Sequence, residues 1–231
     1  MRGAIQRVVV TALVVLFLPL GWAQAASSDQ EAKMAEVLEV LGELQRIPEE
    51  SIPPALLENA GAVAVIPNVV KVGLVIGGRY GKGIVTVRKE DGRWSDPLFL
   101  TVTGGSVGWQ LGAQSTDVVL VFKSRKSVDS LVDGKFTLGA DAAIAAGPVG
   151  RQAAAATDVQ LQSEIFSYSR SRGLFVGIAL DGASLEIQQM DNARYYKQPE
   201  ITAQQIIDGM AVTRPESANQ LIEMLSQQSK N

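Results

Sequence analysis

The feature that most constrains the fold is a succession of short apolar segments in the middle of the chain, each ended by glycine or another turn residue. Short runs rich in β-branched residues between turn signals are typical of β-strands. The predicted strands cover residues 62–66, 69–76, 84–88, 104–114, 118–122, 165–172, 174–180 and 184–190. Residues 136–146 and 151–163 are predicted as the arms of one more hairpin, whereas the glycine-rich residues 77–83 are expected to end the second strand. Turn signals such as Asp91-Gly92 and Asp181-Gly182 favour antiparallel pairing.

Helical periodicity flanks this strand region on both sides. Apolar residues recur at helical spacing from Met34 to Leu44, which predicts a helix from Asp29 to about Ile47. Shorter helices are predicted over residues 55–59 and 127–132. After Tyr196, Thr202 is a suitable cap for a helix over 203–208, and Pro215 suits the first turn of a last helix.

These segments predict one α+β domain. We expect an antiparallel β barrel or sandwich of many short strands, with N- and C-terminal helices packed on it. Because no linker divides the chain, the domain is predicted to cover residues 26–231, with a core over about 29–196 and C-terminal helices over 200–229.

Residues 1–25 have the pattern of an export signal. Arg2 and Arg7 precede an apolar run over residues 8–20, and Ala23-Gln24-Ala25 supplies a small-x-small cleavage site. The alternative is a retained membrane anchor, but about 13 apolar residues are fewer than the ~20 that span a bilayer. We therefore expect cleavage after Ala25 and a periplasmic or secreted protein that can lie at a membrane surface.

The composition excludes most familiar catalytic chemistry. The chain contains no cysteine and no histidine, so it has no disulfides, no thiolate or imidazole metal ligands and no histidine base. The glycine motifs over residues 78–83 and 104–108 are not followed by a helix, as a phosphate-binding loop would require. We expect a protein that is not an enzyme and uses no cofactor or metal; the alternative is a hydrolase built on Ser, Lys and Asp.

The charge balance also excludes a class of partner. The formal net charge is −3, and removal of residues 1–25, which contain two arginines and no acid, makes it −5. Nonspecific nucleic-acid binding depends on neutralising phosphates, so we expect no nucleic-acid partner.

Four cations are the candidate site for an anionic lipid head group: Arg79, Lys82, Arg170 and Arg172. Arg170 and Arg172 lie two apart on a predicted strand, so their side chains share one face and can grip the same anion. The alternative is that all four are scattered, solvated cations.

Asp141 lies among alanines and glycines, where a buried carboxylate would need a partner. Arg151, on the other arm of the predicted hairpin, is the candidate partner in a structural pair. A ligand or metal role for Asp141 is the alternative.

Several ordered motifs resemble the SYLF domain. They are residues 60–66, Gly77-Gly78-Arg79-Tyr80-Gly81-Lys82-Gly83, residues 91–97 and 137–141, Ala146-Gly147-Pro148-Val149-Gly150-Arg151, residues 166–175, and Asn192 with Tyr195-Tyr196. The resemblance runs from about Asp29 to Tyr196, with a counterpart to the last helix.

The resemblance implies a lipid-binding domain. Eukaryotic members bind phosphoinositide membranes, some bind and bundle actin, and bacterial members are exported. The expected function is noncatalytic binding of lipid or a phospholipid membrane in the bacterial envelope; the alternative is an envelope structural or adaptor protein with a protein partner. Actin is not an expected partner in a periplasm. The predicted N-terminal helix carries five acidic and two basic residues, which departs from the basic helix credited with phosphoinositide binding in some relatives.

Overall fold

The computed structural model describes residues 20–46, 52–73, 76–107, 112–148, 163–171, 174–177 and 180–228. The helices in these ranges are α1 (Leu20–Arg46), α2 (Pro54–Glu58), α3 (Arg125–Val132), α4 (Gln189–Tyr195), α5 (Ala203–Ile207) and α6 (Glu216–Gln228). The strands are β1 (Ala62–Gly73), β2 (Ile76–Val87), β3 (Leu98–Val107), β4 (Gly112–Phe122), β5 (Lys135–Thr137), β6 (Ile144–Ala146), β7 (Ile165–Ser171), β8 (Leu174–Gly177) and β9 (Ser184–Ile187). The predicted α+β class, with helices at both ends of a strand region, is confirmed.

The described strands form one curled sheet, a half-barrel, in the order β5-β9-β3-β2-β1-β4-β7-β6. β8 pairs with the part of β7 that β6 leaves free, so both share one edge of that strand. All described pairs are antiparallel except β6–β7, which is parallel. In the centre of the sheet β1 and β2 pair with each other, β3 pairs with the other edge of β2, and β4 pairs with the other edge of β1.

The glycine-rich segment is inside a strand, which corrects the prediction that it ends one. β1 runs as one strand through an irregularity near Pro67 and Asn68, where its register with both neighbours shifts. This bulge brings the β1 backbone against β2: a Cβ on Gly83 would lie 2.2 Å from the carbonyl oxygen of Val65. Glycine is therefore required in β2 by close approach of the neighbouring strand, and not by a turn.

Two other predicted strands are divided in the structure. Residues 104–114 contain the end of β3 and the start of β4, which are not neighbours in the sheet. Residues 136–146 contain β5 and β6 at opposite ends of the sheet order, because Gly139 (φ +85°) and the residues around it form a turn between them. The predicted second arm lies outside the described residues except for Ser163. β9 is shorter than predicted, and α4 directly after it was not predicted.

The terminal helices bury their apolar stripes as expected. Met34, Val37 and Leu41 of α1 are fully or almost fully buried, as are Leu221 and Leu225 of α6. α1 packs against α4, α6, β1 and β2, and α3 packs against β4, β5 and β9. Thr202 caps α5 in a capping box with Gln205, as its position predicted. No helix among the described residues has the length and apolarity needed to cross a membrane.

Candidate functional site

Helix α1 lies across the strands instead of along them. Its Gln30 donates to Asp191 (3.1 Å), which also binds Lys82 of β2, and its Glu43 reaches Arg170 of β7 (3.3 Å). The rise of about 1.5 Å per residue gives a span of about 20 Å between these two helix residues. That span covers β2, β1, β4 and β7, whose neighbours lie about 4.8 Å apart.

Acidic residues attach α1 to the sheet, which explains why the helix is not basic. Between its two end contacts, Glu36 accepts hydrogen bonds from Lys33 (2.6 Å) and from the Asn68 side chain (3.1 Å) at the β1 bulge. Partial burial acts to raise the pKa of Glu36, but these hydrogen bonds outweigh it and hold the pKa below its ordinary value. Glu36 and Glu43 of α1 thus have a structural role.

Arg170 is occupied by structural contacts. It binds Asp117 of β4 at 2.9 Å and Glu43 of α1 at 3.3 Å, and only 19% of its side chain is exposed. Since two carboxylates already surround the guanidinium, Arg170 joins β7, β4 and α1 and is poorly placed to bind an external anion. Its predicted neighbour Arg172 lies outside the described residues.

Lys82 has one structural partner. Its ammonium group lies 3.1 Å from Asp191, whose side chain is only 9% exposed. Asp191 also accepts from Gln30 and lies 3.5 Å from Arg194. Lys82 is therefore part of the contact that joins β2 to α4 and α1, although its side chain stays 46% exposed.

Arg79 differs from the other predicted cations. Its stem passes beside Gly104 of β3, and its Nε is buried without a hydrogen-bond partner. Burial lowers the pKa of its guanidinium. The structure describes three of the four predicted cations. Of these three, Arg79 is the one for which it gives no acidic partner.

Arg79 faces a second cation that the sequence analysis did not select. Lys71 of β1 is its direct partner in the β1–β2 ladder, so the two side chains leave the same face of the sheet. We use the name distal end for the strand ends that surround this pair: residues 70–73, 76–80, 103–107 and 112–116. Lys71 and Arg79 are the charged residues of the distal end, and it contains no Asp or Glu.

The other face of the distal end exposes apolar side chains. Val70 is 40% exposed, Val72 is 56% exposed and Tyr80 is 51% exposed. Val70 pairs directly with Tyr80, and Tyr80 lies two residues from Lys82, so this is the face that α1 covers further along the strands. The strands continue beyond the helix, and no described helix covers their apolar side chains there.

A distribution of charge in the sequence could have identified the distal end. Although the chain has 24 acidic residues, none lies between Glu58 and Glu90 or between Asp96 and Asp117. The first of these stretches contains five basic residues. Recognising that both stretches meet at one end of a sheet required the strand pairing.

The proposed structural pair of Asp141 with Arg151 stays a prediction, because Arg151 lies outside the described residues. Asp141 itself is exposed and accepts a hydrogen bond from the Thr137 N–H within the turn after β5. The turn places this carboxylate at the surface, so it does not need an ion-pair partner to offset burial.

Two other polar features lie elsewhere on the described surface. A groove of about 380 Å³ lies between Val132, Lys135, Ile187 and Thr202, and Lys135 lies opposite Glu186 in the β5–β9 ladder. Ser124 and Ser127 both donate to Glu164, which attaches α3 to the start of β7. In the part of the chain that the structure describes, acidic residues form no group that could hold a metal ion.

Comparison with known families gives a match over residues 103–228, to the Ysc84 family described as Las17-binding protein actin regulator. This range covers more than half of the chain and includes β4 to α6.

Comparison with known proteins gives several relatives. The chain is 37% identical to an SH3 domain-containing protein of Schizosaccharomyces pombe, over 77% of this chain and 41% of the relative. It is 34% identical to SH3 domain-containing YSC84-like protein 1 of Xenopus laevis, over 77% of this chain and 53% of the relative. It is 33% identical to protein YSC84 of Saccharomyces cerevisiae, over 79% of this chain and 39% of the relative. The chain therefore spans about half or less of the length of these relatives.

Proposed function

The chain belongs to the Ysc84 family, in agreement with its SYLF-like motifs, and from that premise we propose that it is a noncatalytic domain that binds anionic phospholipid membranes. The observation that carries the proposal is the Lys71–Arg79 pair at an end of the sheet that has no acidic residue. Two cations on a distal end without counter-charges attract an anionic surface even when the whole chain is negative.

The separation of charges along the chain supports this proposal. In β1 to β4, the acidic residue nearest to Lys71 and Arg79 along the strands is Asp117 of β4. It lies three residues after Gln114, which pairs with Lys71. Three residues of a strand span about 10 Å. Asp117 therefore lies too far along the strands to form an ion pair with Lys71. Asp117 is in addition bound to Arg170.

The proposed location is the bacterial envelope, reached through the export signal predicted in residues 1–25. The part left after cleavage, residues 26–231, keeps the α1 contacts described above, which run from Gln30 to Glu43. In this location the domain would meet phospholipid head groups directly. The absence of cysteine and histidine supports a binding role over a catalytic one.

The second candidate is an adaptor that binds another protein. The description of the matching family, Las17-binding protein actin regulator, favours it. Exposed apolar side chains at the distal end could contact a protein as well as a lipid.

Vesicle co-sedimentation of residues 26–231 tests the proposal. One set of vesicles contains phosphatidylcholine alone and the other also contains phosphatidylglycerol, each at low and moderate salt. The proposal predicts sedimentation with the phosphatidylglycerol vesicles that weakens as salt increases. Failure to sediment with either vesicle would contradict it and favour the protein adaptor, and equal sedimentation with both would contradict the role of the cations.

A further inference from the structure

We infer that the distal end enters the membrane interface with its strand ends first, placing Val72 and Tyr80 against lipid and Lys71 and Arg79 at the level of anionic head groups. This inference rests on the proposed function and adds the surface and orientation of binding. The occupant is an anionic phospholipid bilayer.

Within the described parts of β1 and β2, the exposed large apolar residues lie in one stretch, and the other exposed ones (Met190, Met210 and Val212) lie outside the sheet. In β1, all side chains from Ala62 to Ile66 are fully buried, whereas Val70 and Val72 are 40% and 56% exposed. In β2, Ile84 and Val85 are fully buried, whereas Tyr80 is 51% exposed. The change occurs where α1 ceases to cover the strands, so the distal end is an extension of the sheet beyond its packed core.

The strand ends lie together, so all of them can meet one surface. Gly73 at the end of β1 pairs with Gly77 of β2 and with Gly112 of β4, and Ile76 of β2 pairs with Val107 of β3. Four neighbouring strands thus end or begin at the same height.

The distribution over the two faces decides the orientation. Val70, Val72 and Tyr80 lie on one face of the distal end, and Lys71 and Arg79 lie on the other. A sheet lying flat on a bilayer would offer either its apolar residues or its cations. An approach by the strand ends brings both into the interface, where long cationic side chains can extend to head groups while apolar residues contact the acyl region.

Charge complementarity favours lipid as the occupant. The distal end has two cations and no acidic residue in a chain of net charge −3, so other parts of the surface are, on balance, repelled by an anionic bilayer. Each cation near such a surface contributes to attraction, and the apolar residues add a contribution that salt does not screen. Binding by the distal end should therefore keep a salt-resistant component.

A single fluorescent label tests the orientation. Because the chain has no cysteine, a Val72→Cys variant of residues 26–231 can be labelled at one site with an environment-sensitive dye. Val212→Cys is the matched control, since Val212 is 87% exposed and lies between α5 and α6, outside the distal end. Tyr80→Cys gives a second position in case labelling at Val72 disturbs the fold.

The inference predicts that phosphatidylglycerol-containing vesicles shift the emission of the dye at positions 72 and 80 to shorter wavelength, and leave it unchanged at 212. Loss of vesicle binding on labelling at 72 or 80 of folded protein, but not at 212, would also support it. If all labelled proteins sediment with vesicles but positions 72 and 80 show no shift, the inference is wrong and the proposed function stands. If the unlabelled protein does not sediment, the proposed function fails, and the inference fails with it.

Discussion

Lys71 and Arg79 face each other directly across the β1–β2 ladder, and Arg79 has a buried Nε without a hydrogen-bond partner. Like charges in directly opposed positions destabilise a sheet. Neither cation has an acidic neighbour at the distal end to offset the repulsion. By this rule we expect the pair to cost stability in the free protein, as for residues whose partner comes from outside the chain.

The first prediction concerns this cost. Lys71→Gln should increase the free energy of unfolding by about 0.5 kcal/mol, because it removes one of two like charges at directly opposed positions and leaves the β1 backbone unchanged. Urea unfolding at low salt measures it, with Lys126→Gln on α3 as a control that should change little. A clear loss of stability in Lys71→Gln would show that Lys71 has a stabilising partner and would contradict the account.

The second prediction concerns Arg170, which sequence analysis placed in the head-group site. Arg170→Gln should lower the free energy of unfolding by roughly 2 kcal/mol, because Asp117 and Glu43 lose a largely buried cation. Arg125→Gln is the matched control, since its ion pair with Asp129 is exposed and should contribute less than about 0.5 kcal/mol. The vesicle affinity of the folded Arg170→Gln protein should stay close to that of the wild type. A loss of affinity in Arg170→Gln but not in Arg125→Gln would mean that Arg170 does bind the head group.

The third prediction concerns the glycine segment of β2. Gly83→Ala should destabilise the protein by about 3 kcal/mol, because the added Cβ would lie 2.2 Å from the carbonyl oxygen of Val65. Gly105→Ala is the control, since a Cβ there meets no atom within 4 Å. Thermal unfolding of both variants measures the difference, and Gly83→Ala should have the lower melting temperature. Similar melting temperatures would mean that β1 does not approach β2 so closely.

The fourth prediction concerns acid. Hydrogen bonds from Lys33 and Asn68 lower the pKa of folded Glu36 despite the opposing effect of its partial burial. A carboxylate with a depressed folded pKa adds stability above its unfolded pKa, about 4.3, and loses it as pH falls through the folded value. Glu36→Gln should therefore be less stable than the wild type near neutral pH, and the difference should shrink as pH falls from about 5 toward 3.

Urea unfolding over a pH series measures this difference, with Glu39→Gln on the exposed side of α1 as the control. A difference between wild type and Glu36→Gln that stays constant over the acidic range would contradict the role given to the Glu36 hydrogen bonds.

Local signals predicted the elements that depend on local physics. The cap at Thr202, the apolar stripe of α1 and the turn at Gly92 all occur as expected, because capping, helical spacing and turn geometry involve neighbouring residues. The glycines of β2 were misinterpreted because the reason for them is Val65 on another strand.

The candidate site shows the same division. The sequence pattern indicated Arg79, but it also indicated Arg170, whose carboxylate partners lie 53 and 127 positions away in the chain. Lys71 was overlooked because only the register through the β1 bulge places it opposite Arg79. Long-range pairing decides which cations remain available to an external anion. That pairing cannot be deduced from a single sequence.

The most direct test of the central claim is the vesicle affinity of the Lys71→Gln, Arg79→Gln double variant compared with a Lys89→Gln, Lys126→Gln double variant. Both variants remove two positive charges. Lys89 and Lys126, however, follow the ends of β2 and β4 that lie away from the distal end. At about 1 kcal/mol for each cation near an anionic surface, loss of Lys71 and Arg79 should weaken binding to phosphatidylglycerol-containing vesicles about thirtyfold. The control should lose far less. Equal losses in the two variants would mean that net charge alone governs binding and would contradict a site at the distal end.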